Sequence, residues 1–298
     1  MMTNEEVLQK MQEECNLRNL SHWTLKEYLY KAYVMIEHFS PKPLATITDD
    51  ELRIFLIYLR DERKLTPSSI NVYNSAIRFI FGAIVGRPVN YQKIPRCKIV
   101  RPLPDIMSED EIIALFHACD DGTTIGLRDK AILMTIYASG LHLSEVANLR
   151  GSDIYASSSR IKVNSGKGNK DRFTILSKDH LSILSTYYKT WKPQTDDGWL
   201  FTTKYGKKMS GHAIQDLMRV RLRLAGLSHK PYTPHTLRHN FATAMLNGGT
   251  DVCVIKKLLG HTHIQSTTFY LHLADFEEGL ESPLDRLNKK KKDGESND

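Results

Sequence analysis

Toward its C-terminal end the chain spaces out polar residues in a way that core packing does not require. His235-Thr236-Leu237-Arg238-His239 is followed by Leu259-Gly260-His261, and Tyr270 comes nine positions later within Ser266-Thr267-Thr268-Phe269-Tyr270. A tyrosine phenol, with a pKa of about 10, is a poor nucleophile at neutral pH. It becomes effective when cations and hydrogen-bond donors hold its target and stabilise the charge that develops there. An arginine flanked by histidines, then another histidine and a tyrosine, is a set of groups suited to attack on a phosphate. Thr233-Pro234 reads as a helix start, which puts His235 in the first turn and Arg238 one turn on. Residues three apart share a helix face, so both side chains can reach one target, and a helix N-terminus itself favours an anion. His239, on the same helix, is expected to pack against the site or support it. His235 and His239 also stand at i and i+4, as zinc ligands can. No HExxH glutamate lies between them, however, and Arg238 would set a cation against the metal.

The elements that must position these groups fall into two domains, for which 298 residues suffice. In the first, Leu25, Leu29, Ala32, Ile36 and Phe39 recur at helical spacing up to Pro41. A second helix is predicted over Asp49 to Arg60, and a third starts at Thr66-Pro67 and carries Ile70, Tyr73, Ile77 and Ile80 inward. Residues 1–88 therefore read as a helical bundle. Residues 89–106 lose periodicity, and their prolines alternate with Lys93, Arg96, Lys98 and Arg101. That pattern reads as an extended interdomain linker whose charges are either simply solvated or follow a phosphate backbone. Residues 107–288 form the second domain, opened by the capping box Ser108/Glu111. A helix from about Leu127 stops near Gly140, and two strands, Arg160–Val163 and Arg172–Leu176, flank the turn Ser165–Lys170. A further helix begins near Asp251 and ends at Gly260, and residues 289–298 read as a disordered tail. The fold class is mainly α: a helical N-terminal bundle, then a mostly helical α/β domain with a small β-hairpin sheet.

The composition, 41% hydrophobic and 25% charged, is that of a soluble globular protein. No apolar run is long enough to span a membrane, and the acidic, polar start is not a secretory signal. Cys15, Cys97, Cys119 and Cys253 are scattered without a CxxC pair, which argues against a zinc knuckle or disulfide framework and fits a reduced cytoplasmic setting. The net charge is +7. Between Phe201 and His239, Lys204, Lys207, Lys208, Arg219, Arg221, Arg223, Lys230 and Arg238 face a single acid, Asp216. Such a run is either a solvated face or, beside a phosphate-handling cluster, a DNA-facing one.

Four separated motifs occur in order: Ser139-Gly140-Leu141-His142-Leu143-Ser144-Glu145, Gly166-Lys167-Gly168-Asn169-Lys170-Asp171-Arg172, HTLRH and LGH with Tyr270. They resemble the tyrosine recombinase (phage integrase, Xer-like) family, over about Asn16 to Asn288. The resemblance implies that Tyr270 attacks the scissile phosphate of double-stranded DNA to give a 3′-phosphotyrosyl link and a free 5′-hydroxyl. Strand exchange then runs through a Holliday junction without ATP, metal or other cofactor. It implies that Arg238 holds nonbridging oxygens, His235 assists proton transfer from Tyr270, His261 hydrogen-bonds the phosphate, and Lys167 protonates the leaving oxygen. Glu145 would support the first-arginine position. There the chain departs from the family's SGLRLSE-like run, because His142 stands where arginine is expected. A histidine offers one useful donor in place of a charged fork. Lys170 and Arg172 join the expected DNA contacts. The two domains would clamp the duplex, and a segment at Ser282–Leu287 would dock on a neighbouring protomer to build a homotetramer on two DNA sites. The reaction would serve integration, excision or resolution; the alternative is a recombinase-fold DNA-binding protein with little or no catalysis.

Overall fold

The structure, a computed structural model, describes residues 2–99, 104–164, 171–192, 197–261 and 264–272. Arg101, Lys167, Lys170, the segment Ser282–Leu287 and the tail lie outside the described residues. The chain divides into two compact units, Met1–Pro102 and Leu103–Asp298.

The first unit holds α1 (Asn4–Leu17), α2 (His22–Phe39), α3 (Asp49–Asp61) and α4 (Pro67–Phe79), the last running into a π-type turn at Ile80–Ile84. Each helix starts where its sequence supplies a cap. Thr3 with Glu6 and Thr48 with Glu51 form reciprocal capping boxes, and Thr66 caps α4 ahead of Pro67. Met35, Leu52, Phe55, Ile77 and Ile80 close the core. Helix α1, which the periodicity does not predict, buries Val7, Met11 and Cys15, a stripe of one residue per turn.

Of the basic stretch predicted as an extended linker, residues 89–97 are seated on this unit. Val89 and Ile94 are buried in its core. Asn71 exchanges two hydrogen bonds with the Cys97 backbone, and Arg78 donates to the Ile94 carbonyl. Side chains of the helices thus satisfy the main-chain groups that a free linker would leave to water.

The second unit contains α5 (Glu109–His117), α6 (Thr124–Ser139), α7 (Leu143–Ala147), α8 (Lys178–Trp191), α9 (Gly211–Leu224), α10 (Pro234–Asn247), α11 (Val252–Leu259) and α12 (Gln265–Thr268). Between α7 and α8 lie β1 (Ile154–Tyr155), β2 (Arg160–Val163) and β3 (Arg172–Ile175), antiparallel in the order β1-β2-β3. Val163 pairs with Arg172 and Ile161 with Thr174. Alternation along β3 therefore turns Arg172 toward the same side as the buried Thr174. Helix α6 runs through the middle, with Ala131, Ile132, Leu133 and Ile136 all buried, and it packs on α8 and α10. No helix among the described residues is long and apolar enough to cross a membrane.

Two polar knots tie elements to α6. Arg221 on α9, predicted as a DNA-facing cation, is buried: its guanidinium meets Asp129 Oδ2 at 2.9 Å and Asp121 Oδ2 at 2.7 Å. Burial of these charges requires their pairing, and the pairing removes Arg221 from the surface. His180, fully buried at the start of α8, lies 2.8 Å from Thr135 Oγ1. Thr135 gives its proton to the Ala131 carbonyl, so it accepts from His180 Nε2–H.

Removing Arg221 leaves the buried Asp129 with Arg128 alone as its counter-charge, so Arg221→Ala is expected to lower the unfolding free energy by about 1–3 kcal/mol in urea titration. Arg219→Ala, at an exposed position nearby, should stay within about 0.5 kcal/mol. The second knot makes stability depend on pH. Burial holds His180 at about 4 in the fold, while the unfolded chain takes up that proton near pH ~6.5. The contribution is fully present above the unfolded value and is lost as pH falls toward the folded one, roughly 3 kcal/mol in all. Thermal unfolding between pH 7 and 4 should show a shallower decline for His180→Gln than for the unsubstituted chain.

Candidate active site

The site forms where α6 and α11 end. Gly140 terminates α6 with φ +64°, a left-handed conformation that disfavours a side chain, and an added Cβ would strike the Phe241 ring. Its carbonyl accepts from Arg238 Nη1 at 2.6 Å. Gly260 ends α11 in the same way with φ +70°, and a Cβ there would sit 2.9 Å from Arg172 Nη1. The final carbonyls of α11, which have no partner within the helix, accept from two arginines: Leu258 from Arg172 Nε and Leu259 from Arg238 Nη2, both at 2.7 Å.

Glu145 joins the two guanidiniums. Arg172 forks onto its carboxylate at 2.7 and 2.8 Å, and Arg238 Nη1 stands 3.6 Å from Oε2. Burial alone would raise this carboxyl; the Arg172 fork overcomes that effect, and the group lies below its ordinary value. Arg172, expected as a DNA contact, is therefore the counter-charge that permits Glu145 to be ionised inside the site. The alternation of β3 was the sequence signal that could have revealed it.

His142 is the N-cap of α7. Its backbone N–H donates to Glu145 Oε2 at 2.7 Å, and its Nδ1 accepts from the Ser144 amide at 3.3 Å. An amide can only donate, so Nδ1 carries the lone pair and the ring proton sits on Nε2. Burial, reinforced by His235 and Arg238, lowers this imidazole to about 4. His235 is exposed and lies edge-on to His142, with ring centroids 4.8 Å apart.

Tyr270 belongs to a short 3-10 turn, Phe269–His272, and is only 3% exposed. Burial raises its phenol, with partial opposition from Arg238. The imidazole that meets its hydroxyl is that of His239, with Nδ1 at 2.9 Å, rather than that of His235, the sequence expectation. Both histidines lie on one face of α10, four residues apart; the turn carrying Tyr270 determines which one meets the phenol. His261 places Nε2 3.3 Å from Arg238 Nη2 and Nδ1 2.9 Å from Thr267 Oγ1. A guanidinium only donates, so Nε2 accepts and Nδ1–H donates to Thr267. Thr267 was not anticipated.

Among the other expected DNA contacts, Lys93 pairs with Asp50, Arg96 donates to Ser75 Oγ, and Lys98 is exposed. Lys204, Lys207 and Lys208 are exposed, with Lys204 over the Tyr205 ring and Lys208 over Trp199. Arg219 and Arg223 stand on the solvent side of α9, the former paired with Asp216. Among the described residues, no cluster of three or more His, Cys, Asp or Glu side chains could hold a metal ion.

An arginine, histidines and a tyrosine converge within the mostly helical second unit, the arrangement that a phosphoryl-transfer site of the tyrosine recombinase class requires. Comparison with known proteins agrees. Residues 105–277 match the phage integrase family, and residues 7–91 match the phage integrase N-terminal SAM-like domain. A Sinorhizobium fredii protein whose description, integrase/recombinase y4qK, is itself provisional is 35% identical over 268 residues, 89% of this chain and 84% of its own length. The tyrosine recombinase XerC of Natranaerobius thermophilus is 30% identical, covering 86% of this chain and 90% of its own. The XerA recombinase crystal structure is 29% identical with a TM-score of 0.53, over 91% of this chain and 95% of that one. A lambda integrase dimer bound to a COC′ core site shares the fold with a TM-score of 0.70 at 18% identity, over 94% and 99% of the two chains. The chain belongs to the phage integrase family, the tyrosine site-specific recombinases.

Because Gly140 both adopts a left-handed backbone and anchors Arg238, Gly140→Ala should cost more than the roughly 1–2 kcal/mol of the backbone conformation alone. Urea unfolding of the variant measures the difference.

Proposed function

We propose that the chain cuts and rejoins double-stranded DNA at a specific site through a 3′-phosphotyrosyl link on Tyr270. The observation that carries this reading is the placement of a buried tyrosine hydroxyl, a buried arginine and an imidazole in one cluster on a single chain, with Arg238 3.3 Å from His261 and Tyr270 stacked at 6.4 Å on the same imidazole. Arg238 holds a nonbridging oxygen and stabilises the charge that builds on the phosphorane. His142 occupies the first-arginine position and offers its Nε2–H to the second oxygen. Lys167, matched by its motif, protonates the leaving 5′-oxygen. The exposed lysines and arginines supply sequence-independent contacts to the backbone. The DNA-bound structures of related recombinases, XerH on difH and lambda integrase on its core site, support duplex DNA as the substrate. Assembly as a tetramer on two sites through the C-terminal segment, action in the cytoplasm, and a role in integration, excision or resolution complete the reading.

One observation favours a second reading, a DNA-binding protein of this fold with weak catalysis. His142 spends Nδ1 on capping α7 and stays neutral, so the cation that an arginine would fix opposite Arg238 is replaced by one neutral donor. Loss of such an electrostatic donor costs on the order of 10²–10³ in rate.

The test begins with mapping the DNA that the protein binds, then measures covalent adduct on a suicide substrate carrying that site. The unsubstituted chain should give a slow adduct that Tyr270→Phe abolishes, and His142→Arg should accelerate it by about 10²–10³-fold. An adduct seen only with His142→Arg would establish the weakly catalytic reading. No adduct with either would end the enzymatic one.

A further inference from the structure

We infer that His239, through Nδ1, accepts the phenolic proton of Tyr270 as the tyrosyl phosphodiester forms and returns it when the strands are rejoined. The inference rests on the recombinase reading above and assigns to His239 the proton transfer that the family resemblance implies for His235.

Geometry selects this histidine from the four in the cluster. His239 Nδ1 is 2.9 Å from the phenolic oxygen, within the reach a proton acceptor needs. His235 turns its ring toward His142 instead. His261 lies parallel to the Tyr270 ring, inclined by only 8°, and points Nε2 at Arg238 and Nδ1 at Thr267. His142 commits Nδ1 to the amide of Ser144.

The charge state suits the task. Burial, with His235 and Arg238 nearby, lowers His239 to about 4, so its ring is neutral and able to accept a proton at neutral pH. Burial meanwhile raises the Tyr270 phenol. A base this weak does not ionise a resting phenol. It becomes competent when the Tyr270 oxygen bonds to phosphorus, because a proton left on an ester oxygen is strongly acidic. The negative phosphate then also offsets the repulsion that Arg238 exerts on an imidazolium. Nucleophile activation is thereby coupled to the presence of the scissile phosphate.

The step balances. The Tyr270 Oη–P bond forms and the P–O5′ bond breaks. The phenolic proton passes to His239 Nδ1, and the departing 5′-oxygen takes a proton from Lys167. Rejoining reverses each transfer, with the imidazolium protonating the tyrosyl oxygen as it leaves.

Two reactions on the mapped site separate a proton acceptor from a structural support. The first is single-turnover cleavage of the suicide substrate. The second is ligation of a 5′-hydroxyl strand to a strand ending in a 3′-phosphate p-nitrophenyl ester, whose leaving group needs no proton and which bypasses Tyr270. His239→Ala and His239→Asn are both expected to slow cleavage by about 10²–10⁴-fold while ligating the nitrophenyl ester at the unsubstituted rate. Asparagine keeps a hydrogen-bonding atom near the Nδ1 position without being a base. Cleavage by His239→Asn at the unsubstituted rate would reduce His239 to an orienting role and overturn the inference. Equal slowing of both reactions would do the same, because it would report a disturbed phosphate site. If Tyr270-dependent adduct forms in neither the unsubstituted nor the His142→Arg background, the recombinase reading itself fails, and this inference with it.

Discussion

The site depends on one buried guanidinium. Taking a charge such as Arg238 out of water costs several kcal/mol unless hydrogen bonds and counter-charge replace the lost solvation. The fold supplies them from the ends of two helices. Gly140, closing α6, and Leu259, closing α11, each present a carbonyl to one arm of the fork. These carbonyls lie at the negative poles of their helices, where a cation is favoured. Both helices end in left-handed glycines, at positions where a side chain would collide with Phe241 or Arg172. The glycines, the two helix ends and the arginine therefore form one unit: the chain turns sharply where it does so that carbonyls can hold a cation, and that cation can hold an anion.

The same logic explains the partners of Arg238. Glu145 stabilises the guanidinium but would subtract from the positive field a phosphate requires. Arg172 restores that field by forking onto the carboxylate and anchoring to Leu258. The balance among these three groups is one net positive charge. An arginine at position 142 would add a second. Histidine gives instead a ring acceptor that caps α7, which arginine lacks any atom to do. At this position the chain trades a fixed charge for a local hydrogen bond, and the electrostatic burden on Arg238 rises accordingly.

What the sequence made legible follows from the range of the forces involved. Capping boxes, helix-ending glycines and the alternation of β2 and β3 are local, and Ser108/Glu111, Thr233-Pro234 and Asp251–Gly260 appear in the structure where the residues place them. The misreadings involve partners far away in sequence. Nothing near Arg221 announces Asp129, 92 positions earlier. Prolines and cations around Val89 and Ile94 look like a linker until Asn71 and Arg78 are seen to take up its backbone groups. The motif around Arg238 identifies the histidines, yet which of them meets Tyr270 depends on a turn about thirty residues away whose path no local pattern dictates.

That turn also connects Tyr270 to His261. Thr267, fully buried two residues before the 3-10 turn of Tyr270, touches His261 Nδ1 with its hydroxyl. In the resting arrangement His261 points a lone pair at Arg238, an orientation that suits a guanidinium and not an anion. A hydroxyl both donates and accepts. The Thr267 hydroxyl can therefore partner either tautomer of His261, accepting from Nδ1–H or donating to an unprotonated Nδ1. The tautomer protonated on Nε2 presents a donor where the other presents a lone pair. The serine- and threonine-rich run before Tyr270 thus has a chemical reason to be polar. The turn that carries Tyr270 supplies a hydroxyl compatible with either protonation of the neighbouring imidazole.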